Sequence, residues 1–325
     1  MDRRACIKLG SLAAGAWLAG PACLRPTPER GGRAGEPSVA PTIRDNLGIQ
    51  TFTVRALLDA DPVGTLRALA GIGYRELEMV GFGGSIFLDD PLYGHSPRAF
   101  KMVLDDLGLR VPTTQFSGQA ENLAEIADTV TQIGVAYMVE AMAGEFLSVT
   151  PDGPVVSGVT DLDQVKRVAD RLNARGEICR RSGVGFAYHN HHMEFVSVDG
   201  RVAYDVLIEN TDPELVALEL DAGWTKVAGV DAHEYLERFP GRYIACHLKD
   251  FDASRPLGAR SARSPIPEMT QLVPPGDGTV DHGRLLAAMD RTGVRHGYVE
   301  VDLPDDALDA ARRGYAYLRS LDYRV

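Results

Sequence analysis

GVGFAYHNHHMEF, residues 183–195, runs apolar from Val184 to Tyr188 and then places His189 and His191 two residues apart. Alternating residues of a strand point to the same side, so both imidazoles face one way. Three later segments repeat the design. VALELDAGW (216–224) ends its apolar run on Asp221, RYIACHLKD (242–250) on His247 and Lys249, and GYVEVD (297–302) on Glu300 and Asp302. A barrel of parallel strands gathers such carboxyl-terminal ends around one point, where imidazoles and carboxylates can meet and hold a divalent metal.

Working outward, hydrophobic periodicity alternates strand and helix about eight times between residues 46 and 325. The strands are expected at 47–53, 74–80, 110–116, 136–141, 185–190, 216–221, 243–249 and 297–301. Helical patterns occupy 62–70, 97–107, 122–133, 162–181, 232–238, 284–292 and 306–321. Gly73, Gly108, Gly134, Gly183 and Gly293 stand at helix-to-strand junctions, where a left-handed cap turns the chain back into a parallel strand. Eight such units without a composition break favour one α/β domain, a closed (β/α)8 TIM barrel, over an open doubly wound sheet. No Gly-x-Gly-x-x-Gly follows the first strand, which weighs against a dinucleotide fold.

The amino terminus is a separate matter. Residues 1–23, MDRRACIKLGSLAAGAWLAGPAC, put Arg3 and Arg4 before an uncharged stretch too short to span a bilayer. That pattern reads as an export signal of the twin-arginine type, with a periplasmic or exported mature protein. Cys23 sits where a lipoprotein cysteine would, yet GPAC lacks the usual aliphatic residue three places before it, so lipid anchoring there stays open. Residues 24–45, rich in Pro, Gly and charge, read as a disordered tether. Residues 1–23 contribute +2 to a whole-chain net charge of −11, so the remainder carries −13. So acidic a body argues against nucleic acid or anionic membrane as a partner. Of the four cysteines, Cys6 and Cys23 belong to the export segment, and Cys179 and Cys246 read as buried apolar residues rather than a disulfide framework.

IGYRELEMVG (72–81), YHNHHMEF (188–195), the ELD before Trp224, HLKD (247–250), PGDGTVDHGRL (275–285) and YVEVD (298–302), with LGIQTFTVR (47–55), resemble the xylose isomerase-like sugar phosphate isomerase/epimerase family, in particular its exported branch. The resemblance covers nearly the whole body and implies a metal-dependent TIM barrel acting on a small sugar or keto-sugar, most simply an unphosphorylated one. It also implies metal ligands from strands five to eight: Asp221, His247 and Glu300, with His189 standing where many relatives have Glu. Two imidazoles and two carboxylates suit Mn, Co, Fe or Zn better than Mg. Glu194 or Glu140 remains the alternative source of the fifth-strand carboxylate, with Glu140 also a candidate catalytic group.

Lys249, two residues beyond His247, faces the same cavity and suits a substrate oxyanion. Glu300 and Asp302 share a face, one for metal or base and the other for substrate. Glu78, His191 and Glu194 are candidate sugar contacts, and Trp224 either stacks on a sugar ring or packs at the rim. PPGDGTVDHGRL (274–285) has a phosphate-loop look, but Asp277 and Asp281 are wrong for an anion, and a turn with Asp281 as helix cap is the better reading. The implied chemistry is proton removal next to a carbonyl through an enediolate. The expected activity is isomerisation or epimerisation, with a 3-keto-glycoside lyase or dehydratase, or a barrel that binds carbohydrate without turnover, as alternatives.

Overall fold

Strand alternation produces the architecture. The computed structural model describes residues 42–323 except 85–89, 119, 151–152 and 259–265, so the export segment, most of the tether and the GPAC cysteine lie outside the described residues. Eight strands, β1 (Gly48–Gln50), β2 (Glu76–Phe82), β3 (Arg110–Phe116), β4 (Tyr137–Glu140), β5 (Gly185–His189), β6 (Ala217–Asp221), β7 (Tyr243–His247) and β8 (His296–Val299), follow the expected order. Each pairs in parallel with its neighbour in sequence, and β1 also pairs with β8, so the sheet closes. The closed eight-stranded barrel is a (β/α)8 TIM barrel.

Helices form where the periodicity placed them, for instance Pro97–Leu107 and Leu162–Arg181. All five junction glycines have positive φ, and Gly108 and Gly293 are left-handed helix caps, a conformation that costs a side-chain residue more than glycine. Three short helices, Arg55–Ala60, Ala203–Asn210 and Ala222–Val227, were not evident from periodicity. At six to eight residues they are too short to show a full amphipathic stripe.

Apolar side chains on the outer faces of the strands, such as Leu77, Phe186, Leu220 and Cys246, pack with helix residues Leu104, Val168, Leu207 and Leu286 into one buried core. The inner faces are different. Gln50, Glu78, Thr113, Gln115, Glu219, His189 and His247 are all buried polar residues inside the barrel. Burying so many is costly unless each is hydrogen-bonded or paired, and that cost marks the centre of the barrel as the place to look for chemistry. Among the described residues no helix is long and apolar enough to cross a membrane.

Candidate metal centre and active site

The last residue of β6 and the last of β7 are in register, so Asp221 and His247 stand side by side at the carboxyl-terminal mouth. His189 closes β5 beside them, with ring centroids of His189 and His247 4.5 Å apart. Its Nε2 lies 3.5 Å from Asp221 Oδ2. His247 Nδ1 is 3.7 Å from the same oxygen and makes a very short contact with Glu300 Oε2. Ligand atoms of His189, Asp221 and His247 all fall within 4.8 Å of one another, a spacing that could hold a metal ion. Asp221 Oδ2 is buried and accepts no well-formed hydrogen bond, as expected of an oxygen reserved for a cation. Its other oxygen is used structurally, accepting from Trp224 N at 2.9 Å to cap the helix Ala222–Val227. His189, Asp221 and His247, with Glu300 against His247 Nδ1, form a donor set that fits a borderline transition metal.

Lys249 is the neighbouring cation. Its Nζ lies 3.2 Å from Asp221, 3.1 Å from Glu300 and 2.9 Å from Asp302. Burial alone would drive the ammonium towards neutrality, but Asp221, Asp302 and Glu300 together raise its pKa well above the ordinary value. The same balance decides the other groups. Burial opposes charge on Glu300, but Lys249 and then His247 keep it ionised below the usual carboxylate range. On His247, burial is outweighed by Glu219, Glu300 and Glu78, which favour the charged ring, so a metal bound at Nδ1 would have to displace a proton there. Burial with the nearby His247 charge lowers His189 to about 3, leaving that ring neutral and ready to ligate. Asp302 is raised to about 6 by burial, with Lys249 pulling the other way. His191 is also held neutral by burial, and its Nδ1 is enclosed without a hydrogen-bond partner.

The structure brings His189, His191, Asp221, His247, Lys249, Glu300 and Asp302 together. It places Glu140 elsewhere: in register with Phe116 and Tyr188, it points outward, where Arg171 takes both its oxygens at 3.0 and 2.8 Å and Arg175 one at 2.8 Å. Glu194 is committed too, accepting from Tyr188 Oη at 2.6 Å and from the His191 backbone N–H at 3.0 Å. Neither is free to be the fifth-strand ligand, and His189 is the residue that reaches the centre. Trp224 is 1 % exposed, with His192 stacked on it at 5.1 Å and Lys249 Nζ 5.5 Å from the ring centroid, so it packs against the site rather than offering a free face to a sugar. Glu78 lies deeper than a sugar contact would, bonded to His247 Nε2 at 2.6 Å.

Glu219 is the residue that sequence reasoning overlooked. It sits two residues before Asp221, on the same inward face, hidden by its place inside an apolar run. The glycine-rich loop after β7 cradles an anion, but the protein's own. Asp250 accepts from the N–H groups of Gly276 at 2.9 Å, Gly278 at 3.1 Å and Val280 at 2.8 Å, leaving no cradle for phosphate. Asp281 caps the next helix by accepting from Arg284 N at 3.0 Å.

Residues 66–321 match the family model described as xylose isomerase-like TIM barrel. This chain belongs to the xylose isomerase-like TIM barrel family. Within it, the chain is similar to the inosose dehydratase of Clostridium perfringens, 25% identical over 258 residues that cover 74% of this chain and 84% of the relative. The inosose dehydratase of Geobacillus thermodenitrificans is 23% identical over 270 residues, covering 74% of this chain and 90% of the relative. Among solved structures, a sugar phosphate isomerase/epimerase from Parabacteroides distasonis superposes with a TM-score of 0.67 at 22% identity, covering 88% of this chain and 98% of that one. A zinc-bound IolI protein superposes with a TM-score of 0.61 at 17% identity, covering 85% of this chain and 98% of that one. These structural likenesses establish the fold. Membership of this family gives the chain an enzyme-family fold.

Proposed function

We propose that this barrel is a metal-dependent enzyme that removes the proton next to the carbonyl of an unphosphorylated keto-sugar or keto-cyclitol and expels a neighbouring hydroxyl, an elimination of the dehydratase type. The observation that carries the reading is the Lys249 ammonium held 2.9–3.2 Å from Asp221, Glu300 and Asp302, beside the His189, Asp221, His247 and Glu300 donors. Those four side chains would hold the ion, with Mn, Co, Fe or Zn better suited than Mg, and the ion would polarise the carbonyl as a Lewis acid.

The chain's own residues do the rest. Lys249, kept charged by its carboxylate neighbours, stands ready to balance the negative charge that grows on the carbonyl oxygen as the C–H bond breaks. Asp302, raised to about 6, has the basicity suited to taking that proton near neutral pH. A single carboxyl can then hand the proton to the departing hydroxyl, so that water leaves and no net proton is gained or lost. The dehydratase activity of the 25% identical relatives supports this outcome over proton return. The Asp250-filled glycine loop supports an unphosphorylated substrate.

Epimerisation or isomerisation is the second reading. It draws support from neutral His191, whose ring centroid is 5.2 Å from that of His189 and which offers a second proton-transfer group on the β5 side, away from Asp302 beyond β8. Proton NMR of the metal-loaded protein with inososes and 3-keto-glycosides in deuterated water separates the outcomes. Loss of the hydroxyl with formation of an enone supports elimination. Deuterium incorporation with retained hydroxyls supports epimerisation, and no change at any C–H would leave only a carbohydrate-binding barrel. We further infer export by the twin-arginine route, on the strength of Arg3, Arg4 and the short apolar run that follows.

A further inference from the structure

Below the donors that face the barrel mouth lies a second pair of carboxylates, Glu78 against the back of His247 and Glu219 against the backs of both His189 and His247, with Glu219 Oε2 3.2 Å from His247 Nε2. Glu219 Oε2 is 2.9 Å from His189 Nδ1, and Glu78 Oε2 is 2.6 Å from His247 Nε2. The opposite nitrogen of each ring faces the upper layer, His189 Nε2 towards Asp221 and His247 Nδ1 towards Asp221 and Glu300. We propose that Glu219 and Glu78 are positioning residues that hold His189 Nδ1 and His247 Nε2 as N–H donors, so that His189 Nε2 and His247 Nδ1 present their lone pairs to the metal. A carboxylate behind a ligating imidazole fixes both its tautomer and its orientation and makes it a stronger donor. The arrangement matters most at His189, whose neutral ring stands where a charged carboxylate was the alternative.

Glu78, Glu219 and His247 also bring ligand atoms within 4.8 Å of one another, so a second ion in the lower layer is the competing assignment. Oε1 of Glu78 and of Glu219 are buried without a hydrogen-bond partner, as Asp221 Oδ2 is, but the donors around the Oε2 atoms disfavour it. Gln50 Nε2 points at Glu78 Oε2 from 2.7 Å, and its orientation is fixed because its Oε1 accepts from Phe52 N at 3.1 Å. Gln115 Nε2 adds contacts of 3.3 Å to Glu78 Oε2 and 3.4 Å to Glu219 Oε2. N–H groups aimed at these oxygens suit carboxylates that accept hydrogen bonds, and would face a cation with the wrong end of their dipoles.

The inference rests on the metal reading above, and its test reads metal rather than turnover. In the full chain, the variants Glu219→Gln and Glu78→Gln keep side-chain size while weakening the acceptor. Each should bind Zn2+ roughly 10–100-fold more weakly by chelator competition, the usual effect of losing such a partner. Stoichiometry should stay at one ion per chain, and the visible bands of the Co2+ form should shift. A merely structural role would lower the unfolding midpoint of the metal-free protein and leave the Co2+ bands in place. In a His189→Ala background, Glu219→Gln should cost less affinity than in the parent, since one of the two rings it holds is gone. Unchanged affinity and spectra in both single variants, or an undiminished loss on Glu219→Gln in the His189→Ala background, would overturn the proposal alone. Two ions in the parent and one in the variants would make Glu78 and Glu219 ligands instead, while a parent that takes up no metal would overturn the metal reading with it.

Discussion

Lys249 Nζ lies 2.9 Å from Asp302 Oδ2, an ion pair buried at the barrel mouth. Such a pair is not explained by stability, since replacing a buried ion pair with apolar groups is often neutral or favourable. In the proposed reaction it would fix a positive charge where the substrate oxygen becomes anionic.

Lys249→Met is therefore expected to retain metal and lose C–H exchange by on the order of a hundredfold or more, the scale of one preorganised oxyanion donor. Elemental analysis and deuterium exchange on the same preparation check both halves. Exchange at the parent rate with metal fully bound would make Lys249 a structural residue.

Gly223 tests the placement of Lys249 from outside the charged cluster. A Cβ there would come within 2.6 Å of Lys249 Cβ and 2.9 Å of Leu272 Cδ2, far inside contact distance. Gly223→Ala should cost about 1–3 kcal/mol of stability, as overpacking does, and reduce turnover through the displaced lysine. Thermal unfolding and exchange kinetics check it, and a variant as stable and as active as the parent would show that the lysine strand yields without consequence.

The barrel was legible because the alternation of strand and helix and the junction glycines are local signals, written within a few residues of each element. The site was legible where an ionisable residue ended a strand on its inward face, as at His189, Asp221 and His247. Glu219 escaped notice because a single acid inside VALEL resembles a solvent-facing position, and only the closed barrel turns that face inward. Glu140 misled for the opposite reason. Its strand-end position resembles a ligand, but its face is set by the register of Val139 with Gln115 and Ala187, and its partners Arg171 and Arg175 lie more than 30 residues away on a helix. Local sequence carries neither fact.

Glu194 supplies a pH test independent of metal. Burial raises its pKa from 4.5 to about 7, with the Tyr188 hydroxyl acting in the other direction. Between those values the folded protein binds a proton that the unfolded chain has released, so this group's contribution to stability is present at low pH and declines as pH rises through the window. Glu194→Gln mimics the protonated form and lacks that decline. The variant should gain stability relative to the parent between about pH 4.5 and about pH 7, by up to ~3 kcal/mol. Denaturant unfolding of both proteins across that range measures the difference, and a difference constant with pH would show that Glu194 does not titrate there.

Export makes a prediction about residues outside the described structure. Replacing Arg3 and Arg4 with lysine should hold the precursor in the cytoplasm, because the twin-arginine route reads the arginines themselves. Fractionation of cells carrying each form checks this, and unchanged recovery of mature protein outside the cytoplasm would remove the inference.

The metal assignment is tested most directly at Asp221 and His247, because the two residues differ in what else they do. Asp221 both offers Oδ2 to the cluster and caps the helix Ala222–Val227 through Oδ1, whereas His247 caps nothing. Asp221→Ala should lose metal and also about 1 kcal/mol of helix-cap stability. His247→Ala should lose metal while the metal-free fold persists, since the apolar core between strands and helices is built from other residues. Circular dichroism of the metal-free forms, together with elemental analysis after dialysis against Zn2+ or Mn2+, separates the two effects. Full metal content in both variants would mean that the ion is held elsewhere, and the cluster of His189, Asp221, His247 and Glu300 would then be a proton-holding network rather than a metal centre.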